Sequence, residues 1–381
     1  MGDLDRLAAR LVGIGFVGTS LPAEARDLVR RGVRNCILFA RNIESPQQLA
    51  GLTYDIKAVA GPDPLMMSVD QEGGRVLRMR APFTLIPAMR QVGQAGREDL
   101  ALEIGKVVAR EVRAVNFDMN LAPVCDVDTN PGNPVISSRS FGQTPELVAQ
   151  LATCLVRGIQ SQGVAACAKH FPGHGDTNKD SHHELPMLPT HDMRRMNEVE
   201  LPPFEAVIKE GVAGIMTSHV IYSPIDPVYP GTMSKKILGG ILREQLAFNG
   251  MVVSDDMQMK AIADHFGFDD AVVRAVDAGV DLLWICHTTE LQARAIDVIA
   301  KAVAGGHLSR RRLEEAARRQ DAVFARFVKP ATRTPDLDVI GCREHQAVSD
   351  RIKQLAGALI DGEDPTDAFA QKHTKSVKAP V

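Results

Sequence analysis

Reactive side chains are concentrated between Val164 and Pro186, in the stretch VAACAKHFPGHGDTNKDSHHELP. The stretch begins with an apolar run, Val164 to Ala168, which is typical of a buried strand. A surface loop needs polar residues but has no structural need for titratable ones, and four of the chain's 11 histidines lie here. The stretch is therefore predicted to transfer protons. Its charged or titratable residues include Lys169, His170, His174, Asp176, Lys179, Asp180, His182 and His183.

A second reactive group, Asp255, follows the apolar run in GMVVSDDM. If this run is a buried strand, the carboxylate after it projects into an active site. An Asp at such a place also commonly caps the next helix, and Asp255 and Asp256 can divide the two roles between them. Hydrolysis of a glycosidic bond needs a carboxylate facing an acid-base group. His182 is the candidate for that group, with Asp180 placed to orient its ring.

Further polar residues suit a polyhydroxylated ligand, although each one alone could equally form a salt bridge. A metal site is the rival interpretation, because His170 and His174 are four residues apart. Such a pair binds metal from one face of a helix, and Pro172 makes a helix implausible here. The sequence predicts no metal and no cofactor. The candidate ligand-binding residues are Asp70, Arg75, Arg78, Arg139 and Lys169.

Eight apolar runs alternate with helical patterns, and most of these runs are apolar on both faces, which favours a parallel sheet closed into a single (β/α)₈ barrel of the TIM type. A doubly wound open sheet is the alternative. It would usually place a glycine-rich phosphate fingerprint after its first strand, whereas the glycines of the first run lie within it or at its end. The predicted strands are Leu11 to Gly18, Cys36 to Ala40, Leu65 to Val69, Phe117 to Val124, Val164 to Ala168, Gly214 to Val220, Met251 to Ser254 and Leu282 to Cys286.

The barrel offers a test, because active-site residues should follow the carboxyl ends of its strands. Polar residues do lie at or just beyond the ends of five of the runs: Asp70 to Arg75, Asp126 with Asp128, Lys169 with His170, His219, and Asp255 with Asp256. The loop from Gly173 to Glu184 is expected to be mobile without ligand, because it is long and contains glycines.

The 381 residues are predicted to form a catalytic barrel over 1–330, a helical extension over 331–360 and a mobile polar tail over 361–381. A net charge of -3 without a basic patch argues against nucleic-acid binding. No signal peptide or membrane-spanning run is recognised. The six cysteines are scattered without a CxxC pair, which favours a reducing, cytoplasmic location. The oligomeric state stays open between a monomer and a weak homo-oligomer.

The motifs DQEGGRV, NPVISSRSFG, KHFPGHG, DSHHELP, MTSHVIY and GMVVSDDM occur in this order along the chain, and the resemblance they carry covers about residues 10 to 330. Together they resemble glycoside hydrolase family 3, and within it the bacterial β-N-acetylhexosaminidases of cell-wall recycling. The resemblance implies the barrel, removal of terminal β-linked N-acetylglucosamine, and no metal.

The resemblance also assigns roles to individual residues. It implies that Asp255 is the nucleophile and that His182 is the general acid/base with Asp180 as its partner. Sugar-binding positions fall on Asp70, Arg78, Arg139, Lys169 and His170. Ser137 departs from the family pattern, where many members have Gly, but it occupies no catalytic position.

Other functions remain open from the sequence. A glycan-binding barrel without activity would be expected to lose Asp255 or His182, and this chain keeps both. A phosphorylase is harder to separate, because a histidine acid/base does not repel phosphate as a carboxylate does. The sequence does not distinguish an anhydro-muropeptide from a chitin fragment as the group that is released.

Overall fold

Eight parallel strands form the centre of the protein. The computed structural model describes residues 2–178, 185–357 and 359. Each strand pairs in parallel with the next one along the chain, β1 also pairs with β8, and a bridge between Val253 and Leu282 joins β7 to the start of β8. The ring confirms the predicted (β/α)₈ barrel. The strands are β1 (Val12–Ile14), β2 (Asn35–Leu38), β3 (Met66–Val69), β4 (Met119–Asn120), β5 (Ala165–Phe171), β6 (Gly214–Thr217), β7 (Met251–Val253) and β8 (Leu283–Ile285).

Helices connect the strands and continue beyond β8. Two segments have π-helical geometry, Met196–Glu200 between α7 and α8, and Lys236–Gln245 before β7. The α-helices are α1 (Asp3–Arg10), α2 (Ala23–Arg31), α3 (Pro46–Ala60), α4 (Met89–Ala95), α5 (Glu98–Ala114), α6 (Pro145–Ser161), α7 (Met193–Arg195), α8 (Leu201–Lys209), α9 (Lys260–Ala263), α10 (Phe268–Ala278), α11 (Thr289–Ala304), α12 (Arg310–Phe327) and α13 (Arg343–Ala356).

Two apolar layers hold the barrel together. Alternate strand residues such as Ile37 and Trp284 pack with Phe324 and Phe327 of α12 in one buried cluster, while their neighbours along the strands pack in a second cluster that includes the helices. Each large apolar side chain buried in this way stabilises the fold by about 1.5–3 kcal/mol. Gly13 leaves room for the indole, because an added Cβ there would lie 2.4 Å from the Trp284 ring.

Several elements differ from the sequence-based prediction. Strand β1, for example, ends at Ile14 instead of Gly18. Strand β4 is shorter than predicted. Asn120 at its end accepts the backbone N–H of Gln71 at Oδ1 and donates from Nδ2 to the Gln71 carbonyl oxygen, each at 3.0 Å. Strand β5 is longer and contains Lys169 and His170, which were expected to follow it. Helix α4 was not predicted, because Gly93 within it and Gly96 after it weaken the helical pattern.

The segment after α12 packs back on the barrel. Helix α13 lies against α4 and α5, and the buried carboxylate of Glu111 on α5 accepts hydrogen bonds from Thr84 and from the Gly341 backbone. His345 Nδ1 lies 2.8 Å from the same Glu111 oxygen. The predicted tail, 361–381, lies outside the described residues. No described helix combines the length and apolar content that crossing a bilayer requires.

Candidate active site

A pocket of about 630 Å³, which includes space open to solvent, lies among residues at the carboxyl ends of the strands. Its apolar wall includes Leu121, Met216 and Trp284, and its polar residues come from strands or loops that are far apart in sequence. This is where a barrel of parallel strands places its active site. The polar lining comprises Asp70, Arg139, Lys169, His170, His174, Asp255, Asp256, Cys286 and His287.

Lys169 is buried between two carboxylates. Its Nζ lies 2.7 Å from Asp70 Oδ1 and 2.5 Å from Glu72 Oε1. Burial lowers the pKa of this ammonium, but the attraction of Asp70 and Glu72 outweighs it, so the net shift of the Lys169 pKa is upward. Lys169 is therefore a fixed positive charge that can donate to a hydroxyl group of a ligand.

Glu72 also holds Arg139 in a two-pronged ion pair, with Arg139 Nε and Nη2 each 2.8 Å from one of its oxygens. Burial raises the pKa of Glu72, and Arg139 and Lys169 reverse this effect, so the pKa lies well below its usual range. Arg139 therefore reaches the pocket with its guanidinium plane fixed by a carboxylate.

Asp126 fixes the orientation of His170. One Asp126 oxygen lies 2.7 Å from His170 Nδ1, and the carboxylate also accepts the backbone N–H of His170 and of His174. Because Arg139 Nη2 donates to His170 Nε2 at 3.3 Å, that nitrogen is an acceptor and the ring proton lies on Nδ1. His170 is thus held on both ring nitrogens, by Asp126 on one side and by Arg139 on the other.

Asp255 follows β7 and lines the pocket, and its Oδ1 accepts the backbone N–H of Asp256 at 2.8 Å. Asp256 is held from several sides. Its Oδ1 accepts the backbone N–H of Gln258 and of Cys286, each at 3.2 Å, and its Oδ2 lies 3.1 Å from His287 Nε2. The two neighbouring acids therefore differ in role, with Asp256 anchoring the turn that positions Asp255.

The segment after β5 is held in place up to Thr177. Tyr222 donates its hydroxyl to Gly173 O at 2.6 Å, and Asn133 Nδ2 donates to His174 O at 2.9 Å. Burial lowers the pKa of His174 to about 4. Residues 173–177 are thus tied to the barrel by buried hydrogen bonds. The mobility expected for the loop from Gly173 to Glu184 stays a prediction, and 179–184 lie outside the described residues.

The predicted sugar-binding residues meet in one place. Asp70, Arg139, Lys169 and His170 line the pocket together with Asp255. Arg78 is buried behind Asp70, with Nη2 at 3.5 Å from Asp70 Oδ2. The predicted acid/base pair, His182 and Asp180, lies outside the described residues. Assignment of all these residues as binding or catalytic groups remains a prediction.

Arg75 has a different position from the other candidate donors. Its Nη2 donates to the backbone oxygen of Val135 at 2.5 Å, so this contact holds the loop that leads to Arg139. Arg75 is also not among the residues that line the pocket.

Sequence reasoning gave no specific role to Glu72, Asp126 or His287. Glu72 lies inside the motif DQEGGRV. Lys169 and Arg139 each need a counter-charge if they are buried, and this need could have pointed to Glu72 as their partner. Asp126 was recognised only as a residue at a strand end. His287 directly follows the predicted run Leu282 to Cys286, and the strand-end rule would have found it.

Within residues 2–178 and 185–357, no three His, Cys, Asp or Glu side chains are grouped closely enough to hold a metal ion. The described polar groups are instead paired donors and acceptors of fixed geometry. Such a set can bind hydroxyl groups of a sugar, and Asp255 adds a carboxylate of the kind that glycoside hydrolysis needs.

Comparison with known proteins supports this interpretation. A model of the glycosyl hydrolase family 3 N-terminal domain matches residues 8–323. A β-hexosaminidase of Nitrosomonas eutropha is 42% identical over 284 residues, which is 72% of this chain and 80% of that protein. A β-hexosaminidase of Thiobacillus denitrificans is 37% identical over 349 residues, 88% of this chain and 91% of that protein.

Solved structures agree with the sequence comparison. The family 3 β-N-acetylglucosaminidase from Paenibacillus sp. FPU-7 superposes with a TM-score of 0.90 at 38% identity, covering 95% of this chain and 71% of that one. NagZ from Neisseria gonorrhoeae, solved with N-trifluoroacetyl-D-glucosamine, superposes with a TM-score of 0.75 at 30% identity, covering 91% and 98%. The chain belongs to glycosyl hydrolase family 3 and is a glycoside hydrolase of the β-hexosaminidase type.

Proposed function

We propose that the protein removes terminal, non-reducing β-linked N-acetylglucosamine from peptidoglycan-derived muropeptides with retention of configuration. In this proposal Asp255 is the nucleophile, His182 is the general acid/base and Asp180 orients His182. Asp70, Arg78, Arg139, Lys169 and His170 bind the sugar.

The observation that carries the proposal is the position of Asp255. It follows β7 and lines the same pocket as Lys169 and Arg139, and its side chain accepts a hydrogen bond from the backbone N–H of Asp256. A carboxylate on a rigid strand end can hold an attacking oxygen near one carbon atom. The paired charges around it give the donors and acceptors that a sugar ring needs.

The reaction then has two steps. In the first, an Asp255 oxygen bonds to the anomeric carbon, the glycosidic C–O bond breaks, and His182 gives its proton to the departing oxygen. In the second, water attacks the same carbon, its proton passes to His182, and the bond to Asp255 breaks. Two inversions at one carbon retain the β configuration.

Two of the three described histidines that line the pocket, His170 and His174, support an acid elsewhere. The ring nitrogens of His170 lie within hydrogen-bond distance of Asp126 and Arg139, and its fixed tautomer presents no proton on Nε2. His174, with a pKa of about 4, is neutral near pH 7 and has no proton to give as an imidazolium. His287, which is paired with Asp256, is the alternative acid among the described residues.

The substrate class in the proposal rests on relatives. The relatives named above are β-hexosaminidases or β-N-acetylglucosaminidases, and one of them binds an N-acylglucosamine in its crystal structure. Muropeptides as the natural source, and the cytoplasm as the location, rest on the motif resemblance and on the scattered cysteines. All six cysteines are free thiols.

A panel of p-nitrophenyl β-glycosides, followed by anhydro-muropeptide and chitin fragments, tests the proposal. We expect turnover of the N-acetylglucosaminide and of the muropeptide, with little activity on the glucoside or galactoside. The same assays with phosphate separate hydrolysis from phosphorolysis, because only phosphorolysis forms a sugar 1-phosphate. Preference for another sugar, or a sugar 1-phosphate as the main product, would contradict the proposal.

A further inference from the structure

Four ionisable side chains, two of them fully buried and two partly exposed, form a cluster near the active-site pocket, at residues that the reaction above does not use. We name this set, Asp176, His191, Arg195 and Glu200, the basal cluster. The side chains of His191 and Glu200 are both 0% exposed, and His191 Nε2 lies 3.3 Å from Glu200 Oε1. Arg195 Nη2 lies 3.1 Å from that oxygen and 3.5 Å from Asp176 Oδ2.

The basal cluster joins two parts of the chain that flank residues 179–184. Asp176 precedes these residues and His191 follows them, and His191 Nε2 lies 3.6 Å from Asp176 Oδ2. The preceding part is also tied to the barrel by the hydrogen bond from Tyr222 to Gly173. The following part is tied through Pro186 O, which accepts the backbone N–H of Ile221 at 3.0 Å.

Glu200 is the centre of the cluster. It ends the π-helical segment, a geometry that is frequent at functional sites, and it packs against Gly173, where an added Cβ would lie 2.8 Å from Glu200 Oε2. In the described structure this Oε2 is buried without a hydrogen-bond partner. A buried carboxylate with incomplete hydrogen bonding is a poor source of stability, so a positioning role is the better explanation.

We propose that the basal cluster is a positioning device for proton transfer, with Glu200 and His191 as its central residues. The inference rests on the proposed role of His182, which lies between the two parts that the cluster joins. Fixing both parts restricts where the intervening residues can place an acid. A displacement of about 1 Å in a reacting group can cost about 100-fold in rate.

The test compares leaving groups in the full-length enzyme. Glu200→Gln and His191→Gln should lower kcat/KM for chitobiose by about 10- to 100-fold, because its departing sugar is a poor leaving group that needs protonation. For a 2,4-dinitrophenyl N-acetylglucosaminide, the dinitrophenolate departs without help from an acid, so the loss of kcat/KM should stay within about threefold. Asp176→Asn, at a partly exposed position, removes one contact between the two parts and should give the same pattern more weakly.

His345→Gln is the matched control, because it also removes a buried histidine paired with a glutamate, Glu111, at a place outside the pocket. It should change both substrates by the same factor. If Glu200→Gln, His191→Gln and Asp176→Asn also lower both substrates equally, the cluster only supports the fold and the proposal is wrong.

A second comparison separates this inference from the proposed function. With His182→Ala already present, Glu200→Gln should cause no further loss on chitobiose, because the group that it positions is gone. If His182→Ala discriminates between the leaving groups and Glu200→Gln does not, positioning by the cluster is refuted while the acid assignment stands. If His182→Ala shows no discrimination, the proposed function fails, and this inference fails with it.

Discussion

Glu72 and Arg139, 67 residues apart in the chain, are joined by two buried hydrogen bonds of 2.8 Å beside the active-site pocket. The same carboxylate contacts Lys169, so one acid holds two of the proposed sugar-binding cations. The position of both cations in the pocket therefore depends on a residue that is not itself among the proposed ligand contacts.

Replacing Glu72 with Gln should destabilise the protein strongly. The change leaves Arg139 and Lys169 buried with Asp70 as the remaining carboxylate beside Lys169, and breaking a buried pair typically costs about 3–5 kcal/mol. Urea unfolding at neutral pH measures the free energy of unfolding. Glu314→Gln, in the exposed pair with Arg310, is the control and should change it by less than about 0.5 kcal/mol. Similar values for the two variants would contradict the prediction.

Asp255 should form a covalent bond with the sugar. Incubation with a 5-fluoro N-acetylglucosaminyl substrate that carries a good leaving group should label the peptide that contains Asp255, as detected by mass spectrometry. Asp255→Asn should lower kcat by about four orders of magnitude or more. A trapped oxazoline without labelled protein would instead mean that the acetamide group of the substrate is the nucleophile.

Loss of His182 should affect substrates according to their leaving groups. His182→Ala should slow hydrolysis of poor leaving groups by about two to four orders of magnitude, with a much smaller effect on activated aryl glycosides. Asp180→Asn should give the same pattern more weakly, because it affects the orientation of the ring. Steady-state kinetics with both substrate types measures this, and equal losses would show that His182 positions the sugar instead.

The low pKa of His174 makes stability depend on pH. In the folded protein the pKa is about 4, against 6.5 as the ordinary value, so between these values only the unfolded chain binds the proton. The stability linked to His174 is complete above pH 6.5 and is lost as the pH falls toward 4, at up to about 1.4 kcal/mol per pH unit.

His174→Asn should therefore flatten the dependence of the free energy of unfolding on pH in this range, as measured by denaturant titration between pH 7 and 4.5. The control is His307→Asn at an exposed position, which should keep the wild-type slope. An unchanged slope in His174→Asn would show that burial of this ring does not govern the acid response.

Removal of metal should leave the activity unchanged. The described residues hold no grouping of metal ligands, and the proposed steps need only proton transfer and a carboxylate. Dialysis against EDTA, followed by the p-nitrophenyl N-acetylglucosaminide assay, tests this. Activity that falls on chelation and returns with zinc would make the histidines metal ligands instead of proton carriers.

The sequence determined the barrel and the approximate places of its reactive residues. Apolar runs that alternate with helical patterns are local features, and the rule that sites follow strand ends then selects Asp70, Asp255 and the region of Lys169 without coordinates. Local pattern was less reliable at element ends. Strand β5 continues through Lys169 and His170, because parallel pairing with its neighbours, and not hydrophobicity, sets its length.

Only the tertiary structure decided which charges meet. Lys169 contacts Asp70, 99 residues away, and Arg139 contacts Glu72, because closure of the barrel brings the ends of distant strands to one rim. Spacing in the sequence cannot give these contacts. Strand order decides which charges become neighbours, and burial removes the water that would otherwise solvate them, so a nearby opposite charge becomes the partner.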